Sequence, residues 1–410
     1  MQALIDLIAQ DPLVLLIPPI SAFVGWFTNI LAVKMMFYPT DFVGVRPIFG
    51  WQGLVPANAK KLAKFSTRLI TTKLMRLEEL FKDFDPERFS DQLTPVLDQI
   101  SDEVVDEVKR RVPMMWDNLA PEVQAQVRGM IHAEVKATLI LVLQDLKDNI
   151  NEVVDLEEVA TRAIVADKRL ITQLFLEVGT KEFEFIERSG AYFGLLFGLI
   201  QLAVWLIYPA WWMLPLAGFF VGYATNWLAL KLIFEPAEPR KLGPFVLQGM
   251  FHKRQREVAE RFGELVSSKV LNPKNIVETI QSSTRGDYIP RLVDKHLDTL
   301  FERYAAHPMA SMLLPESERD ALRDQVQRRI AEELPKPGGF LHTFAGRAVD
   351  IRGELITRMT QLDPKSFEGV LRPAFQQDEW KLIVAGAGLG LLAGVLQLVY
   401  LFEDALKTLS

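Results

Sequence analysis

Hydrophobic and polar positions separate along the chain into long apolar runs and long amphipathic stretches. Leu13 to Val33 is a run of 21 residues without a charge, and Lys34 is the first basic residue of the chain. At ~1.5 Å per residue that run crosses a ~30 Å hydrocarbon layer. The residues before it offer only Asp6 and Asp11, not the basic start of a secretory signal, so it is read as a retained span. From Ser189 to Leu230 there is no Asp, Glu, Lys, Arg or His, and Tyr208-Pro209-Ala210-Trp211-Trp212 interrupts the run halfway. Proline among interfacial aromatics predicts a tight turn and hence a hairpin of two spans. Leu382 to Phe402 is again uncharged and ends at Glu403 and Asp404. The expected organisation is spans at 13–33, 189–207, 211–230 and 382–402, with helical lobes at 34–188 and 231–381.

The lobes carry a helical period. Over 57–84, Leu62, Phe65, Leu69, Ile70, Leu74, Leu77, Phe81 and Phe84 recur at three- and four-residue steps, which predicts one long helix with an apolar stripe. Asp85-Pro86, Asn272-Pro273 and Asp363-Pro364 each pair a capping side chain with proline at the first helical position. Pro113, Pro121 and the 335–339 stretch divide the lobes into several helices, and strand-like alternation is scarce. The predicted class is all-α.

Phe23 to Lys34 (FVGWFTNILAVK) matches Phe220 to Lys231 (FVGYATNWLALK) at an offset of about 197 residues. The match continues through Phe37 and Pro39 against Phe234 and Pro236, then Gln52-Gly53 against Gln248-Gly249. Near the other end, Gly194-Leu195-Leu196, Gly198 and Gln201 recur as Gly390-Leu391-Leu392, Gly394 and Gln397. The expectation is a tandem duplication of a unit of about 196 residues, each unit being span, lobe, span. With an even number of spans per unit, the copies share one topology and an axis along the membrane normal relates them.

These doubled motifs, Gly-x-x-Thr-Asn-x-x-Ala-x-Lys, Phe-x-Pro, Gln-Gly before a basic helix and Gly-Leu-Leu-x-Gly-x-x-Gln, resemble the bacterial membrane family called domain of unknown function 445. The resemblance runs over nearly the full length. It implies a bacterial inner-membrane protein with helical lobes, and it transfers no catalytic residue.

Charge then orients the chain. Both long segments fall on one side, flanked by Lys34, Arg46, Lys60, Lys61, Lys64, Arg188, Lys231, Arg240, Lys241, Lys253, Arg254, Arg256 and Lys381, whereas the other side carries only Lys407. The positive-inside rule puts the lobes in the cytoplasm and both termini outside. A net charge of −6 argues against a general nucleic-acid partner, and the absence of cysteine excludes disulfides, a thiol nucleophile and cysteine-ligated metals.

Candidate chemistry lies in the spans and just beyond them. Gly25, Thr28 and Asn29 share one helical face with Ser21 and Ala32, and Gly222, Thr225 and Asn226 repeat it. Gly194, Gly198 and Gln201 form a second face, repeated by Gly390, Gly394 and Gln397. Small residues four apart let helices approach closely, and an amide there hydrogen-bonds across the contact. The spacing sets Asn29 level with Gly194 and Gln201 about 12 Å deeper, predicting two separate polar layers. Packing register is one reading of them; a polar path or headgroup site is the other. No Asp, Glu, Lys, Arg or His lies within any span, so an ion-coupled transporter lacks its usual carrier.

The second candidate is the helix after Gln-Gly, with Lys60, Lys61, Lys64 and Arg68 in one copy and Lys253, Arg254 and Arg256 in the other. It suits an anionic leaflet or merely enforces orientation. The connector 38–51 is too apolar for a solvated loop and is expected in the membrane interface or packed on the lobe. Nucleotide-loop, zincin and serine-hydrolase motifs are absent, and His132, His252, His296, His307 and His342 show no metal-ligand spacing. The functional expectation is a non-enzymatic membrane-anchored scaffold without cofactors, its partners being lipid, including anionic phospholipid, and either a second copy or another protein. A transport or lipid-handling protein is the alternative.

Overall fold

The computed structural model describes residues 12–45, 49–69, 76–208, 210–283, 286–305, 316–333, 336, 339–347, 350–372, 376 and 379–401. The chain forms two compact units, each assembled from both halves of the sequence. The first comprises Met1–Ile70, Ala163–Leu265 and Leu355–Ser410, and the second Thr71–Arg162 and Val266–Glu354. Segments 34–188 and 231–381 therefore each contribute to both units.

Among the described residues, four helices of the first unit are long and apolar enough to cross a membrane. They are α1 (Ile17–Phe37, led in by the tight turn Pro12–Leu16), α6 (Thr180–Ile207), α7 (Met213–Phe234) and α12 (Glu379–Leu401). Pro18 and Pro19 fall in the first turn of α1, where a missing N–H costs nothing. At the other end Pro39 and Pro236 stop α1 and α7 just after Phe37 and Phe234, because a residue before proline is steered out of helical geometry. Large apolar side chains stay exposed on all four helices, among them Phe23, Ile207, Phe220 and Tyr400. Apolar surface on that scale is stable only with lipid as the solvent.

Within the bundle α1 packs along α6 and α7 along α12. The pairs join through α6 against α7 and α1 against α12, and α1 also touches α7. Glycine sets the closeness of each pair. A β carbon at Gly25 would collide with the Gly190 carbonyl, one at Gly194 with the Ser21 carbonyl, and one at Gly198 would lie 2.7 Å from Pro18 Cα. In the other pair Gly218 and Gly390 face each other's carbonyls, as do Gly222 and Gly386, and Gly394 meets the Leu214 carbonyl. Val14, Ile17, Trp205, Met213, Leu214 and Leu398 close the bundle at the end where the chain turns between α6 and α7. Pro209 of the expected turn lies outside the described residues.

Among the described residues the only strands form two short antiparallel hairpins, one after α1 and one after α7, in keeping with an all-α class in which strands are scarce. β1 (Val43–Val45) pairs with β2 (Phe49–Trp51), and β3 (Arg240–Leu242) with β4 (Phe245–Leu247). Gly243, at φ +59°, makes the tight turn of the second, a conformation an L side chain rarely adopts. The same clamp closes both necks. Gly53 N–H donates to Pro39 O at 2.9 Å, and Gly249 N–H to Pro236 O at 2.9 Å. The amide of Gln52 donates to Thr40 O at 2.8 Å, and that of Gln248 to Ala237 O at 3.3 Å. The doubled Gln-Gly is thus a hairpin clamp. Its glycines are required because a β carbon would lie 2.6 Å from the Phe37 carbonyl carbon or 2.7 Å from that of Phe234.

The long helix expected over 57–84 is broken. A turn at Leu54–Ala57 precedes α2 (Ala59–Leu69), Arg76 is extended, and a new turn runs Leu77–Leu80. The periodicity was real, but its residues serve two units: Leu62 is buried in the first, whereas Phe81 and Phe84 join Phe89 and Phe344 in an aromatic cluster of the second. Leu74 and its neighbours 70–75 lie outside the described residues.

The first unit is completed by α5 (Lys168–Val178), α8 (Gln255–Leu265) and α11 (Pro364–Leu371). In it α5 packs on α8 and α2 packs on α11. The second unit is built on α3 (Thr94–Arg111), α4 (Pro121–Asp148), α9 (Tyr288–Ala305) and α10 (Glu316–Glu333), with α3 against α4, α9 against α10, α4 against α9 and α3 against α10. The three cap-and-proline pairs start helices as their chemistry requires. Asp85 accepts from the N–H groups of Glu87 and Arg88, Asn272 from that of Asn275, and Asp363 from that of Ser366.

Candidate functional site

The polar faces of the spans turn inward. Thr28, Asn29, Thr225 and Asn226 are at most 2% exposed, and Gln201 and Gln397 are buried as well. Asn29 Nδ2 donates to the Ile186 carbonyl at 2.6 Å, and Asn226 Nδ2 to the Leu382 carbonyl at 2.9 Å. A carbonyl only accepts, which fixes both amides with nitrogen toward the neighbouring helix. Asn29 therefore lies one turn nearer the basic end of α6 than its expected level with Gly194, and its amide sits beside Gly190. Thr28 and Thr225 spend their hydroxyl protons on carbonyls of their own helix, Gly25 O at 3.1 Å and Val221 O at 2.8 Å.

Deeper in the bundle, Ser21 Oγ donates to Gln201 Oε1 at 3.0 Å. The residue corresponding to Ser21 in the second motif is Gly218, and Gln397 has no such partner. Asn29 Oδ1, Asn226 Oδ1, Gln201 Nε2 and Gln397 Nε2 are all buried without a hydrogen bond. The asparagines thus keep two acceptors unspent and the glutamines two donors.

At the basic end of the spans sits an ionic cluster around Arg254. Arg254 Nη1 meets Glu182, in the first turn of α6, at 2.6 Å, with Arg254 16% and Glu182 4% exposed. Glu257 joins Arg254 at 3.0 Å and Lys181 at 2.8 Å. The hydrogen bonds from Arg254 and then Lys181 hold the Glu257 carboxyl down at about 2. For Arg254, burial opposes the charge, and the bonds to Glu257 and Glu182 overcome it and raise its pKa. Glu182 gains further from the partial positive charge at a helix N-terminus.

Beside this cluster His252 is buried, its Nε2 3.1 Å from the Phe234 carbonyl and 3.4 Å from Glu368. The carbonyl requires a proton on Nε2, and Nδ1 is left buried without a partner. Burial lowers the His252 pKa, with a smaller contribution of the same sign from Arg372. Glu368 also pairs with Arg372. Position 252 corresponds to Pro56 in the first motif, so matching the two motifs could not reveal this group.

The other basic candidates are exposed. Lys60, Lys61, Lys64 and Arg68 line α2, whose sequence has no acid, and Lys253 is exposed too. Arg256 is exposed and paired with Glu260 at 3.0 Å. In the second unit, His132 lies between Asp98 and Asp102, and His296 meets Asp145 at 3.0 Å. Among the described residues no three His, Asp or Glu side chains form a metal-binding group. A cavity of about 380 Å³ between α3 and α10 is lined by paired charges, with Arg329 on Glu103 at 2.7 Å.

Four lipid-suited helices locked through glycine define a multi-span helical membrane protein. Comparison with known proteins agrees with that class. The chain is similar to UPF0754 membrane proteins of Exiguobacterium sibiricum (25% identical over 150 residues, 33% of this chain and 36% of that one) and Bacillus pumilus (27% over 168 residues, 33% and 44%). It is also similar to one from a Picosynechococcus strain, 41% identical over 71 residues, 17% of this chain and 18% of that one. The matched part covers less than half of each relative's length. These relatives carry the UPF0754 name and not that of the domain of unknown function 445 family. No protein-family profile and no solved structure matches the chain.

Proposed function

We propose that the protein is a non-enzymatic scaffold of the bacterial inner membrane, a duplicated four-span anchor that holds helical lobes in the cytoplasm for a partner. The observation that carries this reading is the bundle's construction. The glycines at its helix contacts are spent on backbone approach, its asparagine donors on neighbouring carbonyls, and its spans contain no charge between Ser189 and Ile207 or between Met213 and Leu230. Such a bundle suits holding a position better than passing a solute. The duplication is supported by paired geometry: corresponding hairpin clamps, corresponding Asn-to-carbonyl bonds, and helix contacts that come in matching pairs in both units.

A partner surface is available on α4. Val123, Met130 and Leu141 are exposed at steps of seven and eleven, which return to one helical face. The exposed lysines of α2 suit an anionic leaflet. A photo-crosslinking residue at Met130 or Leu141 in the full-length protein in cells tests the reading. A discrete crosslinked protein, the same from both positions, is expected, and monomer alone from both would contradict it.

The second reading, transport or lipid handling, is favoured by one observation, the four unspent amide atoms inside the bundle. Groups of that kind would line a polar path if an oligomer completed it.

A further inference from the structure

Hairpins β1–β2 and β3–β4 belong to the first unit. Each is rooted at the basic end of a span, β1 six residues after Phe37 and β3 six after Phe234. That end is marked as a membrane boundary by its side chains. Lys231 Nζ sits 4.8 Å over the Trp227 ring, Lys381 Nζ 5.9 Å over Trp380, and Trp380 and Tyr38 are exposed. Aromatic rings paired with lysines are what a headgroup layer collects.

On the first hairpin Val43 and Val45 are 62% and 73% exposed, on the same face of one strand. Register sets Trp51 opposite Val43. On the second, Val246 and Leu247 are 52% and 43% exposed, and the exposed Arg240 and Lys241 stand opposite them in register. Strands of three residues reach about 10 Å. Exposed valines on so short a hairpin bring no stability to it alone. The clamps at Gly53 and Gly249 nonetheless hold both hairpins against the span ends.

We infer that hairpins β1–β2 and β3–β4 are two membrane feet, inserting Val43, Val45, Val246 and Leu247 into the acyl–headgroup boundary of an anionic leaflet, with Arg240 and Lys241 on its headgroups. The occupant follows from continuity with the lipid-facing span ends and from the basic charge at Lys34, Lys231, Arg240 and Lys241. Apolar residues backed by Lys and Arg are the composition that lies in an interface. The inference rests on the reading of the bundle as a membrane anchor and deepens it by naming how the anchor meets the surface.

The absence of native cysteine makes the test direct. Single cysteines at Val45, Val246, Phe23 and Met114 in the full-length protein are spin-labelled, and the protein is reconstituted in vesicles of phosphatidylcholine with phosphatidylglycerol. Collision rates with oxygen and with a water-soluble nickel chelate are then measured. Labels at 45 and 246 are expected to collide several-fold more with oxygen than with nickel, in the sense shown by Phe23 and opposite to Met114, which is 82% exposed. In phosphatidylcholine alone the label at 246 is expected to sit shallower. Aqueous behaviour at 45 and 246 with Phe23 still in lipid would overturn the feet and leave the anchor standing. An aqueous Phe23 would overturn the anchor itself. Labels shielded from both reagents would mean that protein covers the hairpins, which also overturns the proposal, and equal depth in both lipids would overturn the anionic assignment.

Discussion

Helix α12 carries its own control for the claim that glycine sets the bundle. Gly390 faces α7, where a β carbon would collide with the Gly218 carbonyl oxygen and lie 2.9 Å from its carbon. Gly388, two residues earlier on the same helix, has nothing within 4 Å of that position. Ordinary carbon contacts lie at ~3.5–4.0 Å, so alanine at 390 requires the pair to part by roughly 1 Å. A gap of that size forfeits about a quarter to a half of each neighbouring contact. Overpacking of this kind costs about 1–3 kcal/mol for a methyl group, and leucine at 390 exceeds that range. At 388 either residue faces open space and gains up to ~1 kcal/mol of helix propensity over glycine. The assay is thermal unfolding of the full-length protein in detergent, followed by size-exclusion fluorescence. Gly390→Ala should lower the melting temperature, Gly390→Leu should lower it much further or prevent folding, and Gly388→Leu should leave it unchanged or raised. Equal melting of Gly390→Leu and Gly388→Leu would refute the close-packing argument.

Glu182→Ala leaves Arg254 16% exposed and with only Glu257 to pair, which should cost about 3 kcal/mol, the low end for breaking a buried pair; a melting temperature within error of wild type in detergent would contradict it. His252 has a lowered pKa, so below its ordinary 6.5 the unfolded chain binds the extra proton first. Stability is therefore full above pH 6.5 and falls as pH drops below it, and His252→Gln should flatten that slope in melts between pH 7.5 and 5.5. For topology, a reporter after Ser410 and a label at Ala210 should map outside the cell, with Asp98 and Arg323 inside; the reverse pattern would overturn the orientation and keep the span count.

The membrane helices were legible because lipid demands uncharged length, and four uncharged runs supply it at close to the observed places. Helix starts were legible where a cap and a proline coincide, as at Asp85, Asn272 and Asp363. The break at Arg76 was not, because a continuous apolar stripe does not say which core each residue joins. The hairpins were hidden because three-residue strands are too short for alternation to register, although Gly243-Pro244 was a usable turn signal. Arg254 read as surface charge since its partner Glu182 lies 72 positions away in sequence. The inward placement of Thr28, Asn29, Thr225 and Asn226 could be inferred from small residues at four-residue steps. The depth of Asn29 could not, because spacing along one helix does not fix the stagger of its neighbour.

Packing and passage part most clearly at the two asparagines. The double variant Asn29→Ala with Asn226→Ala removes two hydrogen bonds across the bundle, each worth on average ~0.6 kcal/mol in a membrane. The measurement is its melting temperature in detergent beside its ability to restore whatever growth or envelope phenotype deletion of the protein produces. An anchor predicts a modest loss of stability with the phenotype fully restored. A variant as stable as wild type that restores nothing would contradict the anchor and establish the unspent amides as the working part of the protein.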